Sequence, residues 1–129
     1  MSGGTWALPT GPHVALIDES SRQGTYLLAV VLVQRSEIRA TRAALRRLAL
    51  PGQATIHFRH ESARRKKSCL VSLAKMPVHA LVVASAERRA PVARRACLEF
   101  VVGSIAETGV TELVLERCAG EERRDRQIL

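Results

Sequence analysis

The residues of this chain whose placement first suggests chemistry are a few carboxylates and His57, two of the carboxylates at the ends of apolar runs. His13-Val-Ala-Leu-Ile ends in Asp18-Glu19-Ser20, and Leu113-Val-Leu ends in Glu116. The only other aspartate is Asp125, in a mixed acidic and basic cluster near the C-terminus. Hard divalent cations such as Mg²⁺ take oxygen ligands at about 2.0 to 2.1 Å and keep several waters, so two or three carboxylates from separate elements suffice. Asp18, Glu116 and Asp125 are therefore the candidate metal ligands. Two such ions about 3.5 to 4 Å apart can activate a water and stabilise the leaving oxygen in phosphodiester cleavage. Strand alternation sends Asp18 and Glu19 to opposite sides, so only one is a first choice. Asp18 is preferred because it shares a face with Leu16, and a carboxylate ending an apolar strand is costly unless something pairs with it. Glu19 is auxiliary. The competing reading makes Asp18-Glu-Ser-Ser a solvated turn.

A second group is Ile56-His57-Phe58-Arg59-His60-Glu61. A histidine at a strand-to-helix junction can orient a water or move a proton, which is the role assigned to His57. Glu61 is an auxiliary carboxylate that also suits the positive end of a helix dipole. His60 reads as a surface or capping residue. The basic residues cluster as Arg64-Arg65-Lys66-Lys67, Arg88-Arg89, Arg94-Arg95 and Arg123-Arg124-Asp125-Arg126. A basic rim around acidic ligands offsets their repulsion of a polyanion, whereas the plainer reading makes these residues solvated helix faces. Aromatic residues make up 3% of the chain, which excludes base stacking as the main mode of recognition.

The elements that must position these groups can be read from hydrophobic periodicity. Residues 13–18 predict a strand, 20–24 a turn, and the apolar run from Thr25 to Val33 a central strand, so the first two strands form an antiparallel hairpin. Ile38, Thr41, Leu45 and Leu48 fall at helical spacing, and Pro51-Gly52 ends that helix. Residues 55–58 predict a short strand. A helix follows from Glu61 or Ser62 to Lys75, burying Cys69, Leu70 and Leu73. Residues 78–84 predict a strand. Pro91 opens a helix through Val92, Ala96, Phe100, Val101 and Ile105 that ends at Gly109. Residues 112–116 predict a last strand and 121–129 the start of a helix. This order implies an α/β domain with a mixed sheet, its hairpin antiparallel and its strand-helix-strand crossovers parallel. Ligands of such sheets gather at strand carboxyl ends, where Asp18 and Glu116 lie. Residues 1–12 read as a flexible leader and 13–129 as one domain.

Twenty Lys+Arg against twelve Asp+Glu give a formal charge of +8. Arginine forks match phosphate oxygens, which makes nucleic acid the expected partner, although biased base composition also yields Arg-rich chains. Cys69, Cys97 and Cys118 are odd in number and form no Cys-x-x-Cys pair, so they read as reduced thiols of a cytoplasmic protein. No apolar run approaches the roughly 18 to 20 residues of a membrane span, and no membrane partner is expected.

Taken in order, Ala-Leu-Ile-Asp18-Glu19-Ser20, Ile56-His57-Phe58 with Glu61, Arg94-Arg95-Ala-Cys-Leu98, and Leu113-Val-Leu-Glu116-Arg117 followed by Asp125-Arg126 resemble a bacterial family. The family is the domain of unknown function 3800, similar to ribonuclease H-like proteins and suspected to contain metal-dependent nucleases. The resemblance runs from His13 onward, and the order of its short motifs carries its specificity. It implies an α/β, ribonuclease H-like mixed sheet with an N-terminal antiparallel hairpin and flanking helices. It also implies Asp18, Glu116 and Asp125 as ligands for Mg²⁺ or Mn²⁺, with His57 matching the family histidine. The chain departs from the family in having Ser21 where Gly often follows the Asp-Glu-Ser. It offers no acid in Val82-Val-Ala-Ser-Ala86, and it ends about where a final helix would continue. The expectation is thus a metal-dependent nuclease. The alternatives are a non-catalytic nucleic-acid-binding or assembly module on the same scaffold, or a homo-oligomer that pairs through exposed helices.

Overall fold

The computed structural model describes residues 11–53, 56, 58–106 and 108–115. The chain builds β1 (His13–Arg22) and β2 (Thr25–Gln34), then α1 (Ile38–Leu48), α2 (Ala63–Ala74), β3 (Val78–Ser85), α3 (Ala90–Ile105) and β4 (Val110–Leu115). The four strands form one sheet in the order β3-β2-β1-β4. β2 is antiparallel to both β1 and β3, and β4 is parallel to β1. The expected α/β class with a mixed sheet is what the chain adopts.

The hairpin is tighter and longer than its sequence suggests. β1 runs through Ser20 and Ser21 to Arg22, which pairs with Thr25, so only Gln23 and Gly24 form the turn. Both have positive φ, at 49° and 77°. That is the primed turn whose twist matches the flanking strands. Polar residues in the second half of β1 imitate a loop, yet Asp18 to Ser21 each pair with an apolar or aromatic residue of β2 across the ladder, and the pairing holds them extended.

Alternation along the strands splits the sheet into two faces. Ala15 and Ile17 of β1, Tyr26, Leu28, Val30 and Leu32 of β2, and Val83 of β3 point to one side. There they meet Ala93, Cys97, Leu98, Val101 and Ile105 of α3, and together these residues are the core. Of the residues that mark this helix in the sequence, Val101 and Ile105 face the core, but the rest of the inward stripe is different. Val92 and Phe100 stay exposed, while Ala93, Cys97 and Leu98 are buried, with small residues letting the helix approach the sheet. α3 also carries the chain from β3 at one edge to β4 at the other, and so delivers β4 parallel to β1.

α1 and α2 lie on the opposite face, where the covering is thin. Thr41 and Cys69 are buried there, but Leu45 and Leu70 remain exposed, so Leu70 is not the core residue that its spacing suggested. The expected strand at 55–58 is absent among the described residues of that segment. Phe58 opens a 3-10 turn, Phe58–His60, that leads into α2, and Ser62 caps the helix by accepting the Arg65 amide. The cap begins the helix where sequence alone left two possible starts, and Glu61 precedes it.

The α3 face supports two expectations. Leu98→Ala removes a fully buried side chain and destabilises the fold by about 2 to 5 kcal/mol, read from denaturant unfolding. Gly109→Ala destabilises it as well, because a Cβ there would overlap the Gly11 carbonyl oxygen, which also accepts the His13 Nδ1 hydrogen at 2.7 Å.

Candidate functional site

The tip of β1 presents chemistry on both faces of the sheet. Asp18 is exposed on the side of Leu16 and Val114, which are its neighbours on that face. Its Oδ1 accepts the Glu19 amide at 2.8 Å, and it stands at the edge of an apolar groove of about 890 Å³. The groove runs between the sheet and the two thinly packed helices, lined by Leu16, Val31, Leu45, Leu70, Leu73 and Val114 among others. Asp18 is therefore not the last residue of its strand, but it does lie on the open face.

β4 brings the second candidate segment to the same place. In the parallel pairing Leu16 matches Val114 and Ile17 matches Leu115. Leu115 is the residue before Glu116 in the chain. Glu116, Asp125 and His57 themselves lie outside the described residues, as does Cys118. Among the described residues, no three His, Cys, Asp or Glu side chains gather as a metal-binding group.

Glu19 points the other way, toward α3. Its Oε2 accepts the Tyr26 hydroxyl at 2.5 Å and is ion-paired with the Arg94 guanidinium. Arg94 is only 5% exposed, the most deeply buried cation among the described residues. The cluster borders a small cavity of about 280 Å³ with Ser20, Ser21 and Pro91. Burial, and then the hydrogen bond and charge of Glu19, push the Tyr26 phenol well above its ordinary value, against a smaller opposing effect of Arg94. Burial likewise raises the Cys97 thiol, which packs in the core as an unreactive small side chain. Arg94 thus belongs to an internal ionic lock and not to a basic rim. Its position next to Arg95 in sequence disguised this, and the one available signal was its place four residues before Leu98 on the buried stripe.

Glu61 also serves the scaffold. Its Oε1 accepts from Gln53 Nε2 at 2.7 Å, and its Oε2 faces Arg65 Nε at 3.6 Å. Arg65 in turn donates to the Leu48 carbonyl at 2.6 Å, which ties the start of α2 to the end of α1. Lys66 lies over the Phe58 ring, 5.7 Å from its centroid. The remaining cations of these helices, Arg39, Arg42, Arg46, Arg47, Arg64 and Lys67, are exposed on elements that border the groove.

No family model, no curated protein and no solved structure matches the chain. No helix among the described residues is long and apolar enough to cross a membrane.

The Glu19 cluster makes stability pH-dependent in the alkaline range. Tyr26 keeps its proton more tightly in the fold than in the unfolded chain, so its contribution is fully present below the ordinary phenol value of 10.0 and is lost as pH rises past it. In Tyr26→Phe the loss of stability above that pH becomes shallower, as compared by denaturant unfolding on both sides of it.

Proposed function

We propose that this chain is a ribonuclease H-like protein that binds nucleic acid and hydrolyses its phosphodiester bonds with Mg²⁺ or Mn²⁺. The observation that carries this reading is the parallel pairing of β1 with β4. It sets Leu115 beside Ile17, so Asp18 and Glu116 each follow in sequence a residue of one paired position on neighbouring strands. The mixed sheet with an N-terminal antiparallel hairpin and flanking helices supports the same reading.

In this proposal Asp18 holds the ion together with Glu116 and Asp125. Asp18 fits the part, because it is exposed and commits one carboxylate oxygen to a backbone amide, leaving the other for a ligand. When bound, such an ion lowers the pKa of a water and stabilises the leaving oxygen. Glu19 acts as an anchor, locked to Arg94 on the far face. His57 is the proposed proton or water handler. Exposed arginines of α1 and the basic start of α2 lie on the Asp18 side of the sheet, where they offset repulsion between phosphates and carboxylates.

A second reading is favoured by a specific observation. Of the candidate carboxylates in the described residues, Glu19 is committed to Arg94 and Tyr26, and Glu61 to Gln53 and Arg65, which leaves Asp18 to face the groove. A scaffold that binds nucleic acid without cutting it would look the same at these residues.

Titration with Mn²⁺ separates the two readings. A poised site stabilises the wild-type chain by about 2.7 kcal/mol when the ion is present at about 100 times its Kd. Asp18→Asn loses that gain, and with it Mn²⁺-dependent cleavage of single-stranded, duplex and hybrid substrates. Undiminished cleavage by Asp18→Asn would sink the catalytic proposal, and salt-sensitive binding without cleavage in the wild type would favour the non-catalytic module.

A further inference from the structure

Among the described residues the sheet ends in two unpaired edges, and the chain treats them differently. β4, at one edge, carries Glu112 in an exposed ion pair with Arg35 at 2.9 Å. Charges of this kind discourage a second strand from adding to an edge. β3, at the other edge, reads Val-His-Ala-Leu-Val-Val-Ala-Ser, eight residues without Lys, Arg, Asp, Glu or Pro. Among the described residues nothing but β2 pairs with it.

The ladder shows which groups of β3 are unused. An antiparallel pair alternates between residues that exchange hydrogen bonds and residues that do not. The two-residue turn is closed by Arg22 and Thr25, so the odd-numbered residues of β2 bond to β1 and its even-numbered residues bond to β3. Through the register, Leu28 meets Val83 and Val30 meets Leu81, which turns the backbone groups of those β3 residues inward. Ala80, Val82 and Ala84 therefore direct N–H and C=O outward. Their side chains stand on the groove face, and Val82, at 61%, is the most exposed large apolar side chain of the described residues.

We propose that β3 is a homodimer interface, pairing antiparallel with β3 of a second copy about a two-fold axis at Val82 to form a continuous eight-stranded sheet. A two-fold contact must be self-complementary, and this strand is. Val82 lies opposite Val82 of the second copy, Ala80 opposite Ala84, Leu81 opposite Val83, and His79 opposite Ser85. The outward groups of Ala80, Val82 and Ala84 then find matching donors and acceptors. Charge does not oppose this pairing at the ladder itself. Two chains of +8 repel wherever their basic helices meet, and the uncharged edge strand lets them approach without opposing like charges across the ladder. Pairing also sets the exposed Val82 side chains of the two copies beside each other and removes part of their apolar surface from water.

Light scattering after size exclusion, on the full chain over a range of concentrations, reads the state directly. The expected mass is that of two chains and not the 14.1 kDa of one. Val82→Lys places two ammonium groups face to face at the axis and returns the mass to one chain. Its thermal unfolding shows that the monomer still folds, and Val82→Thr, β-branched and uncharged, keeps the dimer. Hydrogen exchange on the wild type gives a reading that needs no variant, since the amides of Ala80, Val82 and Ala84 gain protection as concentration rises. A single-chain mass at every concentration, a dimer that survives Val82→Lys, or β3 amides that exchange freely within a dimer each overturns the proposal. The first outcome leaves the edge to a strand of another protein, and the second moves the contact to the exposed helices.

Discussion

β1 is hydrogen-bonded along both of its edges, antiparallel to β2 and parallel to β4, and the rest of the structure takes its position from it. Side chains of a strand alternate strictly, so one register decides which face every residue of β1 meets. Ala15 and Ile17 enter the core beneath α3, and Glu19 follows them onto that face. Leu16 and Asp18 go to the other. A slip of one residue would bury Asp18 against Leu28 and Val83 and release Glu19 into the groove.

The Glu19, Tyr26 and Arg94 cluster acts as a check on that register. A guanidinium as buried as that of Arg94 is costly unless paired, and the pair compensates only when its geometry is good. Tyr26 and Glu19 come from the two strands of the hairpin and Arg94 from the helix across the core, so the pairing forms only when hairpin and helix are correctly docked. Replacing such a buried pair with apolar residues is often neutral for stability, which suggests that its value here is specificity. It also pins β1 one residue beyond Asp18, close to the groove but on the opposite face.

The two faces of the sheet differ in how tightly they are covered. α3 meets its face with Ala93, Cys97 and Leu98, residues small or flexible enough to interlock with β2 and β3. α1 and α2 leave Leu45, Leu70 and Val114 partly in water above a groove. Those helices are joined to each other by polar contacts, Arg65 to the Leu48 carbonyl and Glu61 to Gln53 and Arg65. Tight packing on one side holds the scaffold, while the other side keeps an apolar groove with Asp18 at its edge.

Sequence alone determined the α/β class, the antiparallel hairpin, the helices near α1, α2 and α3, and the opposition of Asp18 to Glu19, because each follows from a local period or a local stop. It read the polar half of β1 as a turn, since only the ladder with β2 shows those residues to be extended. It read residues 55–58 as a strand from their β-branched and aromatic content, where the entry to α2 instead draws Phe58 into a 3-10 turn. Arg94 and Glu61 read as solvent-facing or site residues because charge in a sequence carries no sign of burial or of a partner far along the chain. The tertiary structure alone decided that Arg94 pairs with Glu19 across 75 residues, that Leu115 stands beside Ile17, and that β3 is an edge. Each of these is a contact between segments far apart in the chain, set by the order in which the strands assemble and by the helix that carries the chain across them.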